Sequence, residues 1–308
     1  MLKAYKITYL SPTSPVRSFT IFGAICWSYK LIHGEEKFKE FLNGFKEKPK
    51  FLISSAFPYV KDKFLFPKPI LPIKGESTDF KVKIQRKDYK KARFVTLEVL
   101  KEVIEGNIRY EEDFVKFKSG SGIIQSIDDN LKIEQKRHTQ VRNMINRITN
   151  ASENLFSIES DFKVYDEYFL VYFIDTEFEN EFHRLIKLTE DIGFGGKKSI
   201  GWGRVEINNL DPEPLKDLID LNADKFITLS PIIPTERINP EESYYDIETF
   251  KSYTENTFEE EKLKRKVLYI KEGSVLRKKD SIISGQLKDV DLGIYQYGLE
   301  FPIGVKYV

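Results

Sequence analysis

The sequence predicts an α+β fold in which the order strand, helix, turn occurs twice. Residues 2–10 alternate in polarity as an opening strand does, and apolar side chains recur every three to four positions from Phe19 to Ile32, as in a helix. The same order returns at residues 167–175, an apolar run of strand length, and at residues 178–192, where the spacing is helical again. This repeat is typical of two tandem ferredoxin-like (RRM-like) domains with antiparallel sheets.

The rest of the first half supplies further elements. Ser18 can cap the first helix, and Gly34 ends it. Prolines divide the apolar residues 51–74, so we expect edge strands there rather than a central strand or a helix. Residues 94–105 have the apolar spacing of another helix.

The second half is predicted to consist mainly of short strands. The apolar runs of strand length are residues 226–233, 267–270, 274–276 and 301–307. Two domains of about 150 residues suit a chain of 308 residues. We therefore expect an N-terminal domain at residues 1–157 and a C-terminal domain at residues 158–308, with the glycine-rich residues 193–204 in the second.

Composition restricts the classes of function. With Lys+Arg 49 and Asp+Glu 48 the net charge is +1, so any nucleic-acid site must be local. The single cysteine, Cys26, lies among apolar residues, which excludes a disulfide framework and indicates a reducing, cytoplasmic environment. The first residues do not have the pattern of a signal peptide, and no apolar segment approaches the ~20 residues of a membrane span.

Residues 193–204 are the most biased segment of the chain. They contain five glycines, three cations and two aromatic residues, a composition suited to close approach of the backbone to an anion. The segment follows a helix and precedes a strand, whereas a Rossmann or P-loop glycine motif precedes a helix. Lys198 also stands where those motifs require glycine, serine or threonine. A polyanion is therefore favoured over a mononucleotide, and a simple helix C-cap with a flexible turn is the alternative.

A second cationic stretch lies between Asn130 and Asn150, where Glu134 is the only acidic residue. Its polar and basic members are Lys132, Lys136, Arg137, His138, Arg142, Asn143, Arg147 and Thr149. A solvated helix face and a nucleic-acid contact are both compatible with this pattern.

Four stretches resemble the RAMP subunits of type III CRISPR effector complexes. They are residues 17–27 (RSFTIFGAICW), residues 52–59 (LISSAFPY) with 66–69 (FPKP), residues 142–147 (RNMINR) with Thr149, and residues 193–203 (GFGGKKSIGWG). The chain is most similar to the Csm-type (type III-A) subunit that caps the 5′ handle of the guide RNA beside the large polymerase subunit. The match covers most of the chain up to Arg204.

The resemblance implies a non-catalytic clamp for CRISPR guide RNA, built from two RRM-like domains, the first with a protruding thumb-like insertion. Implied partners are the guide RNA, the large polymerase-like subunit, a backbone RAMP subunit and, indirectly, target RNA; no cofactor, metal or membrane is implied. Phe194 or Trp202 would stack a base. The expected RNA-binding residues are Arg17, Ser18, Lys136, Arg137, His138, Arg142, Asn143, Arg147, Gly193, Phe194, Gly195, Gly196, Lys197, Lys198, Ser199, Gly201, Trp202 and Arg204.

The alternative is a metal-independent RAMP endoribonuclease that uses His138 as its general base. Neighbouring cations would favour the neutral imidazole that such a base needs. The sequence offers His138 no identifiable acid or base partner and contains no histidine cluster with the spacing of metal ligands. The non-catalytic interpretation is therefore preferred.

Overall fold

The structure is a computed structural model that describes residues 1–74, 89–251, 264–291 and 293–306, without the side chains of His138 and Asp291. Its α-helices are α1 (Ser18–His33), α2 (Glu35–Glu47), α3 (Leu97–Ile104) and α4 (Glu179–Ile192). Its strands up to the end of α4 are β1 (Leu2–Tyr9), β2 (Phe51–Ile53), β3 (Phe57–Val60), β4 (Lys63–Pro67), β5 (Phe94–Thr96), β6 (Lys118–Gly120), β7 (Ile123–Gln125), β8 (Gln135–Ile145), β9 (Ser152–Lys163) and β10 (Asp166–Phe173). The later strands are β11 (Val205–Leu210), β12 (Lys225–Thr228), β13 (Ile238–Tyr244), β14 (Ile247–Phe250), β15 (Val267–Ile270), β16 (Val275–Lys278), β17 (Gly285–Asp291), β18 (Ile294–Leu299) and β19 (Pro302–Gly304).

A nine-stranded sheet forms the centre of the molecule. Its order is β11-β1-β10-β3-β4-β5-β7-β6, and β2 pairs with β10 beside β3. The pairs are antiparallel except β5 with β7, which is parallel and so departs from the expected purely antiparallel sheets. β10 is buried along nearly its whole length, and strands flank it on both sides.

The elements β1, α1, β2, β10, α4 and β11 have the connectivity of one ferredoxin-like unit. The strands lie in the order β11-β1-β10-β2, and α1 packs on α4, where Ser28 Oγ and Thr189 Oγ1 are 2.9 Å apart. Residues 54–165 are inserted between the second and third strands of this unit. The sequence assigns the two strand–helix repeats to separate domains, but their strands therefore belong to one sheet.

This pairing corrects the expected boundary between residues 157 and 158. The boundary falls inside β9, and β1 pairs with both β10 and β11 across it. The glycine-rich residues 193–204 connect α4 to β11, so they belong to the unit that β1 begins, not to a second domain. A strand bonds to whichever partner satisfies its backbone groups, and sequence separation does not restrict that choice.

The chain after Leu210 forms small antiparallel sheets. The order of the largest is β13-β16-β12-β19, and the hairpins β14-β15 and β17-β18 flank it. Between residues 211 and 306, the described residues form strands and one short 3₁₀ helix but no α-helix. The helices that a second ferredoxin-like unit requires are therefore not found there, while the broader α+β prediction with several antiparallel sheets is confirmed.

Several individual elements differ from prediction. Arg17, not Ser18, is the N-cap of α1, and Ser18 is its buried first residue. β4 is an interior strand rather than an edge strand, with β3 on one side and β5 on the other. The predicted helix at residues 94–105 begins as β5 and becomes helical at Leu97. The expected strand at residues 301–307 is β19, with Tyr307 outside the described residues.

One hydrophobic core joins both halves of the chain. Phe22 on α1 stacks on Tyr297 of β18 with ring centroids 4.8 Å apart, and Phe19 lies 4.5 Å from Phe250 of β14. The Tyr297 hydroxyl accepts a hydrogen bond from the Ile53 amide (3.0 Å). Cys26 is buried in the same core, and burial raises the pKa of its thiol well above the usual value. The two halves are therefore parts of one packed body.

Strands β8 and β9 form a long hairpin and, among the described strands, pair only with each other. Residues 130–150 are thus mainly strand, not the helix face that was one interpretation of their sequence. Aliphatic spacing at Val141, Met144 and Ile145 is compatible with a helix, but all three side chains are exposed, so no core selects that structure.

Candidate nucleic-acid interface

The glycine-rich loop, residues 193–204, leaves α4 in left-handed backbone conformations. Gly193, Gly195, Gly201 and Gly203 have φ between 74° and 88°, and Lys197 has φ 63°. Within the described part of the chain, the amides of Gly195, Gly196 and Lys197 donate no hydrogen bond. Successive free amides in such conformations form a concave site that favours an anion.

The base of this loop is held by close backbone crossings. The Phe194 amide donates to the Gly203 carbonyl (2.9 Å), and the Gly203 amide donates to the Pro12 carbonyl (2.9 Å). A Cβ atom on Gly203 would lie 2.2 Å from the Phe194 carbonyl oxygen, so only glycine fits. Cβ atoms at Gly196 and Gly201 would meet nothing within 4 Å, which leaves the outer part of the loop accessible.

The side chains of the glycine-rich loop divide into buried and exposed groups. Phe194, one of the two aromatic residues expected to stack a base, is fully buried and therefore inaccessible to RNA. Trp202 is half-buried, and the Lys197 ammonium lies 4.4 Å from the centre of its ring. Lys197, Ser199 and Arg204 are exposed, and Lys198 is half-buried. The accessible part of the loop is therefore cationic, with one aromatic ring at its edge.

The hairpin presents two different faces. Opposed residues of an antiparallel pair share a face, and Lys136, Gln140 and Arg142 oppose Phe162, Ile158 and Phe156. This inner face combines cations with apolar groups, and Phe162 packs against the main core. The outer face places Arg137 opposite Asp161, with 4.0 Å between the guanidinium and the carboxylate.

Arg142 connects the hairpin to the glycine-rich loop. Its Nη2 donates to the Ile200 carbonyl oxygen (3.3 Å) and to Gln140 Oε1 (2.9 Å). Three other expected RNA ligands on the hairpin, Lys136, Arg137 and Arg147, have exposed side chains. The structure thus brings together the loop and the hairpin, the two basic stretches that the sequence places more than 40 residues apart.

Arg17 and Ser18, two further residues expected to bind RNA, lie outside the glycine-rich loop and the hairpin. Arg17 forms a two-bond ion pair with Glu272 (Nε to Oε1, 2.9 Å) and a further ion pair with Glu248. Both carboxylates raise the pKa of the Arg17 guanidinium, against the opposing effect of its burial. Ser18 is fully buried. An RNA phosphate would have to displace a carboxylate to reach Arg17, so these two residues connect elements of the fold.

The structure describes the side chains of two of the three histidines. His33 Nε2 lies 2.6 Å from Glu181 Oε1, and His183 is exposed on α4. The backbone of His138 lies in β8 opposite Ser160. In the described ranges no three His, Cys, Asp or Glu side chains gather as metal ligands. No helix of the described chain is long and apolar enough to span a membrane.

Two residues that the sequence did not indicate line the loop from the N-terminal side. Ser11 Oγ accepts a hydrogen bond from the Arg204 amide (2.9 Å), and Ser14 lies 3.6 Å from where a Cβ of Gly195 would be. Both belong to the short proline-rich segment after β1. β1 and β11 pair antiparallel, so the end of β1 lies beside the start of β11. Knowledge of this pairing would have placed the segment after β1 next to the glycine-rich loop.

A cluster at the foot of the hairpin was also not predicted. Lys163 Nζ donates to Glu167 Oε2 (2.8 Å) and to the Tyr9 hydroxyl (3.2 Å), and the Tyr9 hydroxyl donates to the same carboxylate. Burial and then Glu167 raise the pKa of Tyr9 well above its usual value. Tyr9 therefore stays protonated as a donor and fixes the end of β9 to the central sheet.

A ferredoxin-like unit whose last helix and strand are joined by a cationic, glycine-rich loop is the class of protein that the fold and the candidate site define. The sequence matches the RAMP superfamily over residues 10–206, well over half of the chain. The chain belongs to the RAMP superfamily.

Two curated relatives, both named CRISPR system Cms protein Csm4, extend this result. The protein from Methanocaldococcus jannaschii is 26% identical over 320 residues, which cover 89% of this chain and 81% of the relative. The protein from Thermococcus onnurineus is 24% identical over 307 residues, which cover 96% and 95%. The predicted resemblance to Csm-type RAMP subunits is thus confirmed.

Solved structures share the fold. A chain of the Csm3-Csm4 subcomplex in the type III-A CRISPR-Cas interference complex aligns with a TM-score of 0.69 at 22% identity, over 99% of both chains. A chain of the Csm1-Csm4 cassette in complex with pppApA aligns with a TM-score of 0.60 at 21% identity, over 100% of this chain and 98% of that chain.

Proposed function

We propose that this chain is a guide-RNA-binding subunit of a type III-A CRISPR effector complex and that it holds the 5′ handle of the guide. One observation carries the proposal: three unbonded loop amides lie among exposed cations next to a cationic hairpin. The identity of the curated relatives supports the assignment to this complex.

The loop amides, Lys197, Lys198 and Arg204 would hold phosphates of the handle. The hairpin would contact the same strand as a thumb, through Lys136, Arg137 and Arg147. Trp202 would receive a base, which must displace the Lys197 ammonium if it stacks on the ring face that this cation covers. Ser14 would add a hydroxyl on the other side of the loop.

The partners follow from the same proposal. A backbone RAMP subunit and the large polymerase-like subunit would flank the chain, which would meet target RNA only through the guide. Structures of similar fold from Csm3-Csm4 and Csm1-Csm4 complexes support this arrangement. The cytoplasmic location indicated by the cysteine content belongs to the proposal as well.

The subunit is proposed to be non-catalytic. RNA cleavage without metal needs a positioned base and a positioned acid. His33 is engaged by Glu181, and His183 is exposed on α4. Incubation of the purified chain with repeat RNA in EDTA tests this point: site-specific cleavage that disappears in His138→Ala would contradict it.

The loop lysines provide the main test. We expect Lys197→Ala with Lys198→Ala to weaken guide-RNA binding and to lower the slope of log K against log salt by ~0.7 for each phosphate that is no longer neutralised. Binding is measured by titration of the purified chain with handle RNA at several salt concentrations.

The matched control is Lys37→Ala with Lys39→Ala, which removes two exposed lysines from α2. Its salt slope should equal that of the unchanged protein. An unchanged slope in the loop variant would show that these lysines do not contact RNA phosphates. A complex purified with its neighbouring subunits but without RNA would contradict the proposed function as a whole.

A further inference from the structure

Two polar contacts, at different positions along the hairpin β8-β9, join it to the rest of the chain. At its foot, Lys163 joins Glu167 and Tyr9, a cluster in which all three side chains are largely buried. Further along, Arg142 reaches the Ile200 carbonyl in the glycine-rich loop. Since the two strands pair only with each other among the described strands, these contacts decide the angle of the hairpin.

Arg142 is placed differently from the other cations of β8 and of the turn that follows it. Its Nε is buried without a hydrogen-bond partner in the described structure, and its Nη2 is shared between Gln140 and Ile200. Lys136, Arg137 and Arg147 are exposed instead. A guanidinium whose donors are turned toward the protein holds two segments together, because its planar fork has a fixed geometry.

The carbonyl that Arg142 binds lies at a sensitive point of the loop. Ile200 ends the short turn Lys198–Ile200, and the Ile200 and Gly201 amides bond to the carbonyls of Lys197 and Lys198. Those residues are two of the three loop cations. The position of the turn therefore determines where the lysine side chains lie relative to the hairpin.

We propose that Arg142 is a positioning residue that holds the hairpin against the glycine-rich loop, so that both contact one RNA strand at a fixed separation. The resemblance implied a direct RNA contact for this residue; the geometry assigns it to the protein instead. The inference rests on the proposed function for its role in RNA binding, but the contact between Arg142 and the Ile200 carbonyl exists without RNA. With Arg142 removed, the hairpin pivots about its Lys163 foot.

The first experiment uses the purified full chain without RNA. Hydrogen exchange followed by mass spectrometry should show several-fold faster exchange in Arg142→Ala at the amides of Ile200, Gly201 and Trp202. The control Arg137→Ala removes the same charge from the same strand at an exposed position and should leave these amides unchanged. Equal exchange in Arg142→Ala and the unchanged protein would overturn the proposal.

The second experiment separates a positioning residue from a phosphate ligand. Arg142→Ala should bind handle RNA about tenfold more weakly, the value of one charge-assisted hydrogen bond, with the salt slope of the unchanged protein. A slope lower by ~0.7 would identify Arg142 as a phosphate ligand and overturn the proposal. If the unchanged protein binds no handle RNA, the proposed function fails. The exchange experiment still decides whether Arg142 holds the hairpin against the loop.

Discussion

Lys278 and Glu300 are buried completely, and their charges are paired across 2.5 Å. Lys278 also donates to the Leu221 carbonyl (3.0 Å), whereas Glu300 Oε2 has no partner in the described structure. Burial raises the pKa of Glu300 to about 7, and the opposing attraction of Lys278 does not cancel this effect. Such a pair is costly to bury and more costly to break.

We expect the free energy of unfolding to depend on pH through Glu300. Its pKa is raised from 4.5 to about 7 on folding. The folded chain therefore binds a proton between these values that the unfolded chain does not, and stability falls as pH rises through this range, by at most ~3 kcal/mol. Urea denaturation at pH 5 and pH 8 measures the difference.

The control for this pH dependence is the double variant Lys278→Met with Glu300→Gln, which has no titrating pair and should lack this component. Lys278→Met alone leaves a carboxylate buried without a counter-charge and should steepen the dependence. If the double variant and the unchanged protein lost the same stability between the two pH values, Glu300 would not be the titrating group.

At the scale of elements, the glycine-rich loop depends on a few positions rather than on its overall glycine content. Gly203 has φ 81° and crosses Phe194 closely, while Gly196 has open space around its Cα. Gly203 is therefore required by the backbone, whereas Gly196 has space for a small side chain.

We expect Gly203→Ala to destabilise the protein by at least ~1–3 kcal/mol, since it adds backbone strain to a clash with a carbonyl oxygen. Gly196→Ala should change stability by less than ~1 kcal/mol, because the added methyl meets nothing and the amide remains. Thermal and chemical denaturation of the two variants measure the contrast, and equal effects would contradict the distinct roles of these glycines.

Across the whole molecule, Arg17 joins the start of α1 to the later part of the chain. Glu272 lies between β15 and β16, Glu248 lies in β14, and Ser55 after β2 donates to the same Glu272 carboxylate (2.5 Å). Because the hydrophobic core is also continuous, we expect unfolding in one cooperative transition.

We expect Arg17→Ala to cost ~3 kcal/mol, because it leaves two largely buried carboxylates without their cation. Lys30→Ala is the control: its ion pair with Glu35 is exposed and should contribute less than ~1 kcal/mol. Urea denaturation followed by circular dichroism gives both values. A loss below ~1 kcal/mol for Arg17→Ala, or two separate transitions in the unchanged protein, would contradict this description.

The elements with strong periodicity could be predicted from the sequence. β1, α1, β10 and α4 lie close to their predicted bounds because each carries an alternating, helical or continuous apolar pattern that tertiary packing did not override. The hairpin could not be assigned, since its exposed aliphatic residues fit a helix and a strand equally well. Chain order favoured two successive domains, yet β1 completes its sheet with β10 and β11.

The candidate site shows the same division. The glycines, Lys197, Lys198 and Arg204 were recognisable because close backbone approach and positive charge are properties of residue type. By itself, the sequence thus determined the α+β class and the position of a glycine-rich, cationic loop after α4. Only the tertiary structure decided that Phe194 is core, that Arg17 is ion-paired and that Arg142 reaches the loop. These outcomes depend on which distant segments meet, and burial and backbone pairing across the sheet determine that.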